Sequence, residues 1–123
     1  MSSIRILIAE DLTEAREALK LLLKLHGFAS LEAADGQTAV AVALAEKPDL
    51  ILMDLSLPVL DGLQATRAIR AAAAMPIIIT SAYDDDDTRA AARAAGADDY
   101  VAKPIDFDRL LETIRRRLDR DDG

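Results

Sequence analysis

The sequence predicts an α/β domain with one doubly wound parallel sheet, and three observations predict it. Five short apolar runs alternate with five longer stretches of helical periodicity. Alternating units of that kind call for parallel strands joined by crossover helices. One run, Leu50-Ile51-Leu52-Met53, holds four large apolar residues with no polar break, as in a strand covered by helices on both faces. Breakers (Gly27, Asp35-Gly36, Pro48, Gly62, Pro76, Gly96 and Pro104) separate the runs.

Taken in order, Ile4 to Ala9 is apolar and β-branched enough for a first strand. It ends in Glu10-Asp11. A helix starts near Thr13, with Ala15, Ala18, Leu19, Leu22 and Leu23 on one stripe, and stops at Gly27. Phe28 to Ala33 is a more polar strand, suited to a sheet edge. Residues 37–46, rich in alanine, form a short helix closed before Pro48. The third strand, Asp49 to Asp54, opens and closes on a carboxylate. The loop Leu55 to Gly62 leads to a helix over about Leu63–Ala73, broken at Met75-Pro76. Ile77 to Ser81 is a fourth strand, apolar until its end. The acidic run Asp84 to Asp87 precedes an alanine-rich helix ending near Gly96, which it caps and whose dipole it favours. Asp99 to Lys103 is a fifth strand, cut by Pro104. The last helix spans about Asp106–Leu118 with Leu111, Ile114 and Leu118 on one face, and Asp119 to Gly123 is a polar tail.

Composition bounds the function. At 123 residues the chain fits one domain with an ordinary core, and neither repeat nor linker interrupts it. It has no cysteine, so disulfides and thiolate metal sites are excluded. No apolar run approaches the roughly 20 residues of a membrane span, and no signal peptide is read at the start, which points to the cytoplasm. The net charge of −7 opposes general nucleic-acid binding, which depends on neutralising phosphates. Arg115-Arg116-Arg117 reads as a solvated, favourable last helical turn. His26, the lone histidine, precedes Gly27 at a helix end; the chain is therefore poorly equipped to donate phosphate from a histidine and reads as an acceptor.

Four groups fall at the carboxyl ends of predicted strands: Glu10-Asp11, Asp54, Ser81 and Lys103. In a doubly wound sheet those ends line one crevice. Three carboxylates there repel unless a cation compensates, and a hard divalent ion such as Mg²⁺ suits oxygen ligands beside a phosphoryl group. Lys103 offers a mobile positive charge, Ser81 a hydrogen bond, and Asp54 a nucleophile that would form an acyl phosphate. Asp49, at the opposite edge, reads as structural.

The ordered set Glu10-Asp11, Leu52-Met53-Asp54, Leu57-Pro58 with Asp61-Gly62, Ser81-Ala82, Tyr100 and Lys103-Pro104 resembles the response-regulator receiver domains of the CheY-like family, over essentially the whole chain. The resemblance implies a (βα)5 flavodoxin-like fold with strand order 2-1-3-4-5, a receiver over residues 1–123 and no output domain. It implies that Asp54 accepts phosphate from a histidine of a sensor kinase or phosphotransfer protein. Glu10, Asp11, Asp54 and the Ser56 backbone carbonyl would hold Mg²⁺. Lys103 and Ser81 would contact the phosphoryl group, Ser81 and Tyr100 would form a switch pair, and Lys103-Pro104 would be a cis peptide. The face of the fourth helix, fifth strand and fifth helix would then present a remodelled surface to a downstream protein, or to a second copy on phosphorylation. Such a protein catalyses only its own phosphorylation and dephosphorylation. Serine replaces the family's more usual threonine at 81, and Ser56 and Tyr83 occupy variable positions, where the bulk of Tyr83 would screen the acyl phosphate from water.

Other readings fit less well. An aspartate-nucleophile phosphatase usually has a second acid two residues after the nucleophile, where this chain has Ser56, and a cap segment for substrate. A flavodoxin-like FMN carrier needs a hydroxyl- and glycine-rich loop after the first strand; Ala9-Glu10-Asp11-Leu12 is acidic. A receiver used only for binding has no support while every acceptor residue is present. Whether the chain is free-standing or a receiver excised from a larger regulator or hybrid kinase is open at this point.

Overall fold

The computed structural model describes residues 3–119; the predicted tail beyond Asp119 lies outside the described residues. Ten elements alternate: β1 (Arg5–Ala9), α1 (Thr13–Leu25), β2 (Ala29–Ala33), α2 (Gly36–Glu46), β3 (Leu50–Asp54), α3 (Gly62–Arg70), β4 (Ile77–Ser81), α4 (Asp86–Ala95), β5 (Asp99–Ala102) and α5 (Phe107–Asp119). The sheet is wholly parallel in the order β2-β1-β3-β4-β5, as the resemblance implied.

Strand periodicity explains the two-sided core. Alternate residues point to opposite faces, so Leu7, Ile51, Met53, Ile77 and Ile79 pack with Ala39 and Ala43 of α2, Ala65 and Ile69 of α3, and Ala92 of α4. Ile6, Ile8, Leu50, Leu52 and Ile78 pack on the other side with Leu19 and Leu23 of α1 and Leu110 and Ile114 of α5. All five residues of β3 and of β4 are buried, whereas β2 at the edge is mostly not. Each fully buried Ile or Leu contributes roughly 1.5–3 kcal/mol relative to exposure. On α2 and α4 the fully buried residues facing this core are small, Ala39, Ala43 and Ala92.

Several helix ends have identifiable causes. Asp35, Asp61 and Asp85 each cap a helix by accepting the N–H of the residue three further on, and Asp61 and Gln64 complete a capping box. The acidic run before α4 thus supplies a cap, as expected. Gly27 and Gly96 follow α1 and α4 with φ of 85° and 111°, the left-handed conformation that glycine adopts at least cost. Asp49 is structural: its carboxylate accepts the Arg5 backbone N–H at 2.8 Å.

Three expectations are corrected. The third helix stops at Arg70 rather than Ala73. Pro76 disfavours helical backbone at Met75, and the Arg70 guanidinium takes up the Ala73, Met75 and Gly96 carbonyls while pairing with Asp98 at 2.8 Å. In α1, Ala18 is exposed because it lies at the margin of the stripe centred on Leu19 and Leu23. In α5 the expected face omitted Leu110, which with Ile114 enters the core while Leu118 is half-buried.

Candidate functional site

The carboxyl ends of β1, β3, β4 and β5 converge because the strands are parallel and in register. Ala9 pairs with Met53, Asp54 with Thr80, and Ser81 with Ala102, so the residues just beyond these strands meet at one edge. The crossover of the sheet falls between β1 and β3, where such sheets bind ligands.

Asp54 and Glu10 are buried there, at 4% and 3% exposure. The Lys103 ammonium bridges them, 3.1 Å from Glu10 Oε1 and 3.2 Å from Asp54 Oδ2. The Ser56 N–H donates to Asp54 Oδ1 at 3.1 Å, and the Leu12 N–H donates to Glu10 Oε2 at 3.1 Å. Asp11 stands exposed at the mouth. One oxygen each from Glu10, Asp11 and Asp54 lies within 4.8 Å of the others. Three carboxylates against one ammonium leave an excess of negative charge in a partly dry pocket. A hard divalent cation fits that donor set.

Burial pushes the Glu10 carboxyl above its ordinary value, against the lowering effects of the Leu12 N–H and the Lys103 ammonium. Burial alone would lower the Lys103 ammonium, but its hydrogen bonds to Glu10 and Asp54 and their charges outweigh it, so the ammonium is held more firmly than usual. Lys103-Pro104 is a cis peptide, and the Lys103 N–H donates to the Ser81 carbonyl at 2.7 Å.

Ser81 and Tyr100 lie beside this pocket, joined through Tyr83. The Tyr83 N–H donates to Ser81 Oγ at 3.0 Å, and the Tyr100 hydroxyl donates to the Tyr83 carbonyl. No hydrogen bond joins Ser81 to Asp54 among the described residues. Tyr100 is half-buried against the α2–α4 side of the core. The Tyr83 side chain is 61% exposed. Ser56 meets Asp54 through its N–H, and its carbonyl accepts no hydrogen bond among the described residues.

Other supports were not visible in the sequence. Arg16 donates to the Glu10 carbonyl at 2.8 Å while pairing with Glu32, fixing the acidic turn. In the loop after Asp54, the Leu60 N–H donates to the Pro58 carbonyl at 2.7 Å around Val59, whose φ is 70°. That three-residue turn places a β-branched residue in the left-handed region, a costly conformation found mostly where the surroundings dictate it. The loop is clamped at both ends by glycines. A Cβ on Gly36 would lie 1.6 Å from the Leu60 carbonyl oxygen, and one on Gly62 would lie 2.3 Å from that of Asp54.

Comparison with known proteins agrees with this geometry. Residues 6–115 match the family described as the response regulator receiver domain. PilH of Pseudomonas aeruginosa is 41% identical over 117 residues, covering 93% of this chain and 97% of PilH. The DNA-binding response regulator MtrA of Mycobacterium tuberculosis is 35% identical over 96% of this chain, but the chain spans only 52% of MtrA. A CheY-like receiver domain protein from Methanospirillum hungatei superposes with a TM-score of 0.91 at 30% identity, over 99% of this chain and all of that one. The receiver domain of the sensor histidine kinase PA1611 from Pseudomonas aeruginosa, 36% identical, superposes at 0.88 over 95% of this chain and 98% of that one. Its active site cleft coordinates a magnesium ion.

Proposed function

The chain belongs to the response regulator receiver domain family of two-component signalling, and from that premise we propose that it accepts a phosphoryl group on Asp54. The single observation that carries the proposal is the bridge of Lys103 between Asp54 and Glu10, with Asp11 at the mouth. It sets a nucleophilic carboxylate beside a fixed positive charge and a cation-binding acidic pair.

The donor is a phosphohistidine on a sensor kinase or phosphotransfer protein. An Asp54 oxygen attacks phosphorus, the phosphorus–nitrogen bond breaks, and its electron pair stays on the imidazole. Lys103 neutralises charge on the phosphoryl oxygens, and the Ser56 N–H holds the carboxylate in its attacking orientation. Glu10, Asp11, Asp54 and the Ser56 carbonyl would hold Mg²⁺, which withdraws charge from the phosphoryl group when bound. The Ser81 hydroxyl, which accepts the Tyr83 N–H, donates its own hydrogen to a phosphoryl oxygen, and Tyr100 follows through the Tyr83 carbonyl. This is a two-state element biased by a few charge-assisted hydrogen bonds. The α4-β5-α5 surface carries the change to a downstream protein; there a groove of about 570 Å³ is lined by Arg89, Tyr100, Arg109, Glu112 and Arg116.

The chain is in this reading a signalling acceptor and not an enzyme acting on other substrates. Among the described residues no helix is long and apolar enough to cross a membrane, and we place the protein in the cytoplasm, where the kinase's phosphohistidine is. Incubation with Mg²⁺ and a small acyl phosphate, followed by intact-mass measurement, tests the proposal. The wild type should gain one phosphoryl group and Asp54→Ala none; no adduct on the wild type, or an equal one on the variant, would reject it.

A further inference from the structure

The turn between β2 and α2 supplies no group to the acceptor pocket, yet it touches both halves of it. β2 pairs with β1 and not with β3, so the turn crosses the end of β1 to reach the loop after β3. At its start the Ala33 carbonyl accepts the Glu10 N–H at 3.0 Å, and at its end the Gly36 N–H donates to the Pro58 carbonyl at 3.2 Å. A third tie runs through Glu32 of β2, which pairs with Arg16 while Arg16 donates to the Glu10 carbonyl at 2.8 Å. The turn is itself fixed, because the Asp35 carboxylate accepts both the N–H and the hydroxyl of Thr38, at 2.7 Å and 2.9 Å. Its contact with the loop is close only because residue 36 is glycine. A Cβ there would lie 1.6 Å from the Leu60 carbonyl oxygen and 2.5 Å from the carbonyl carbon. These are backbone atoms, so a side chain would drive α2 and the loop apart by about 1.5 Å to reach ordinary contact. The Leu60 N–H is tied back to the Pro58 carbonyl, so residues 58–60 move as one unit, with only Leu57 between that unit and Ser56.

We propose that the β2–α2 turn is a brace that sets the spacing between the acidic turn and the Ser56 carbonyl, with Gly36 as its positioning residue. The inference rests on the reading that Glu10, Asp11, Asp54 and the Ser56 carbonyl hold a divalent cation. Those ligands come from two loops on different strands, and the brace is the segment that binds both loops. Mg²⁺ demands near-octahedral geometry at about 2.0–2.1 Å, whereas Ca²⁺ accepts variable geometry at about 2.3–2.6 Å. A displaced loop therefore costs the site more of its affinity for Mg²⁺ than for Ca²⁺. The brace acts through position alone, since neither Ala33 nor Gly36 brings a charge or a side-chain ligand.

The test is titration with Mg²⁺ and with Ca²⁺ in the absence of a phosphoryl donor, followed by the amide chemical shifts of residues 10–12 and 54–56. Gly36→Ala should weaken Mg²⁺ binding about tenfold, the lower end of what supports behind metal ligands contribute, and should weaken Ca²⁺ binding less. Gly27→Ala, whose added Cβ has nothing within 4 Å, should bind both ions as the wild type does. Arg16→Lys keeps the charge but loses the planar fork that holds the Glu10 carbonyl and Glu32 together. It should weaken Mg²⁺ binding by a smaller factor than Gly36→Ala, and it decides the matter if Gly36→Ala does not fold. Unchanged Mg²⁺ affinity in folded Gly36→Ala, or an equal loss for both ions, would overturn the brace while the cation site stands. Unchanged affinity in Arg16→Lys would do the same where that variant decides. No response to Mg²⁺ in the wild type would overturn the cation site and the brace together.

Discussion

Replacing Gly62 by alanine tests the coupling between loop packing and the acceptor strand. Gly62 opens α3, and its N–H donates to the Leu55 carbonyl at 2.9 Å. An added methyl would lie 2.3 Å from the Asp54 carbonyl oxygen, 2.7 Å from Leu55 Cα and 2.9 Å from the Asp54 carbonyl carbon. These are backbone atoms and cannot rotate aside, so α3 and the end of β3 must separate by about 1 Å to reach ordinary contact. Overpacking of this kind costs about 3 kcal/mol, at the upper end of the usual range. Alanine returns about 1 kcal/mol through its better helix propensity and smaller unfolded-state entropy. The net loss is about 2 kcal/mol, which lowers the melting temperature by about 8 °C for a domain of this size. A shift of about 1 Å at Asp54 should also slow adduct formation by an order of magnitude, since attack depends on alignment. Gly27→Ala is the control: nothing lies within 4 Å of its added Cβ, so it pays only for its positive φ, about 1 kcal/mol, and should leave the adduct rate unchanged. Differential scanning calorimetry and the mass assay read both effects. A Gly62→Ala protein that melts within about 2 °C of wild type would mean that the methyl is accommodated without separating α3 from the end of β3.

Two further predictions concern stability. Thr66 on α3 is fully buried and its hydroxyl has no hydrogen-bond partner among the described residues. Thr66→Val removes that unpaired group at nearly constant shape, and should raise stability by about 1 kcal/mol in chemical denaturation; a loss would show that the hydroxyl is paired. Glu32, which pairs with Lys20 and Arg16, has its carboxyl held below 4.5, chiefly by the Lys20 hydrogen bond. A depressed folded-state value stabilises above the unfolded value of 4.5 and is lost as pH falls through the lower folded value. Glu32→Gln should therefore cost a few tenths of a kcal/mol at neutral pH, as for exposed pairs, and the difference from wild type should fade as the pH falls below the unfolded value and the carboxyl protonates. A difference that persists in acid would point to packing rather than charge.

The strand ends of the site were legible because their chemistry is local. A continuous apolar run announces a doubly covered strand, and the group that terminates it must emerge at the sheet edge, as Asp54 and Ser81 do. Capping from the acidic run, which Asp85 supplies, was equally near the surface of the sequence, because a cap binds three residues away; the cap at Asp61 was not read, though it has the same local form. What could not be read depends on contacts between distant segments. Arg16 on Glu10, Arg70 on Gly96 and Asp98, and Arg89 on Tyr100 are arginines on exposed-looking helical positions, with no periodic signature that marks them. Gly36 and Gly62 looked like ordinary turn residues; their need for no side chain appears only once the backbone of the acceptor loop lies against them. The segment that follows α3 has the same origin, since Arg70 binds the Ala73 and Met75 carbonyls, which have no partner within the helix.

The position of the phosphoryl group decides whether Asp54 is the acceptor. Borohydride reduces an aspartyl phosphate to the alcohol, leaving homoserine in place of the acceptor. After incubation with Mg²⁺ and acyl phosphate, reduction and peptide mass analysis should find homoserine at position 54 and nowhere else, with none when the donor is omitted. Homoserine at Asp11 or another aspartate, or 5-hydroxynorvaline at Glu10 or another glutamate, with Asp54 intact would mean that the acceptor lies elsewhere.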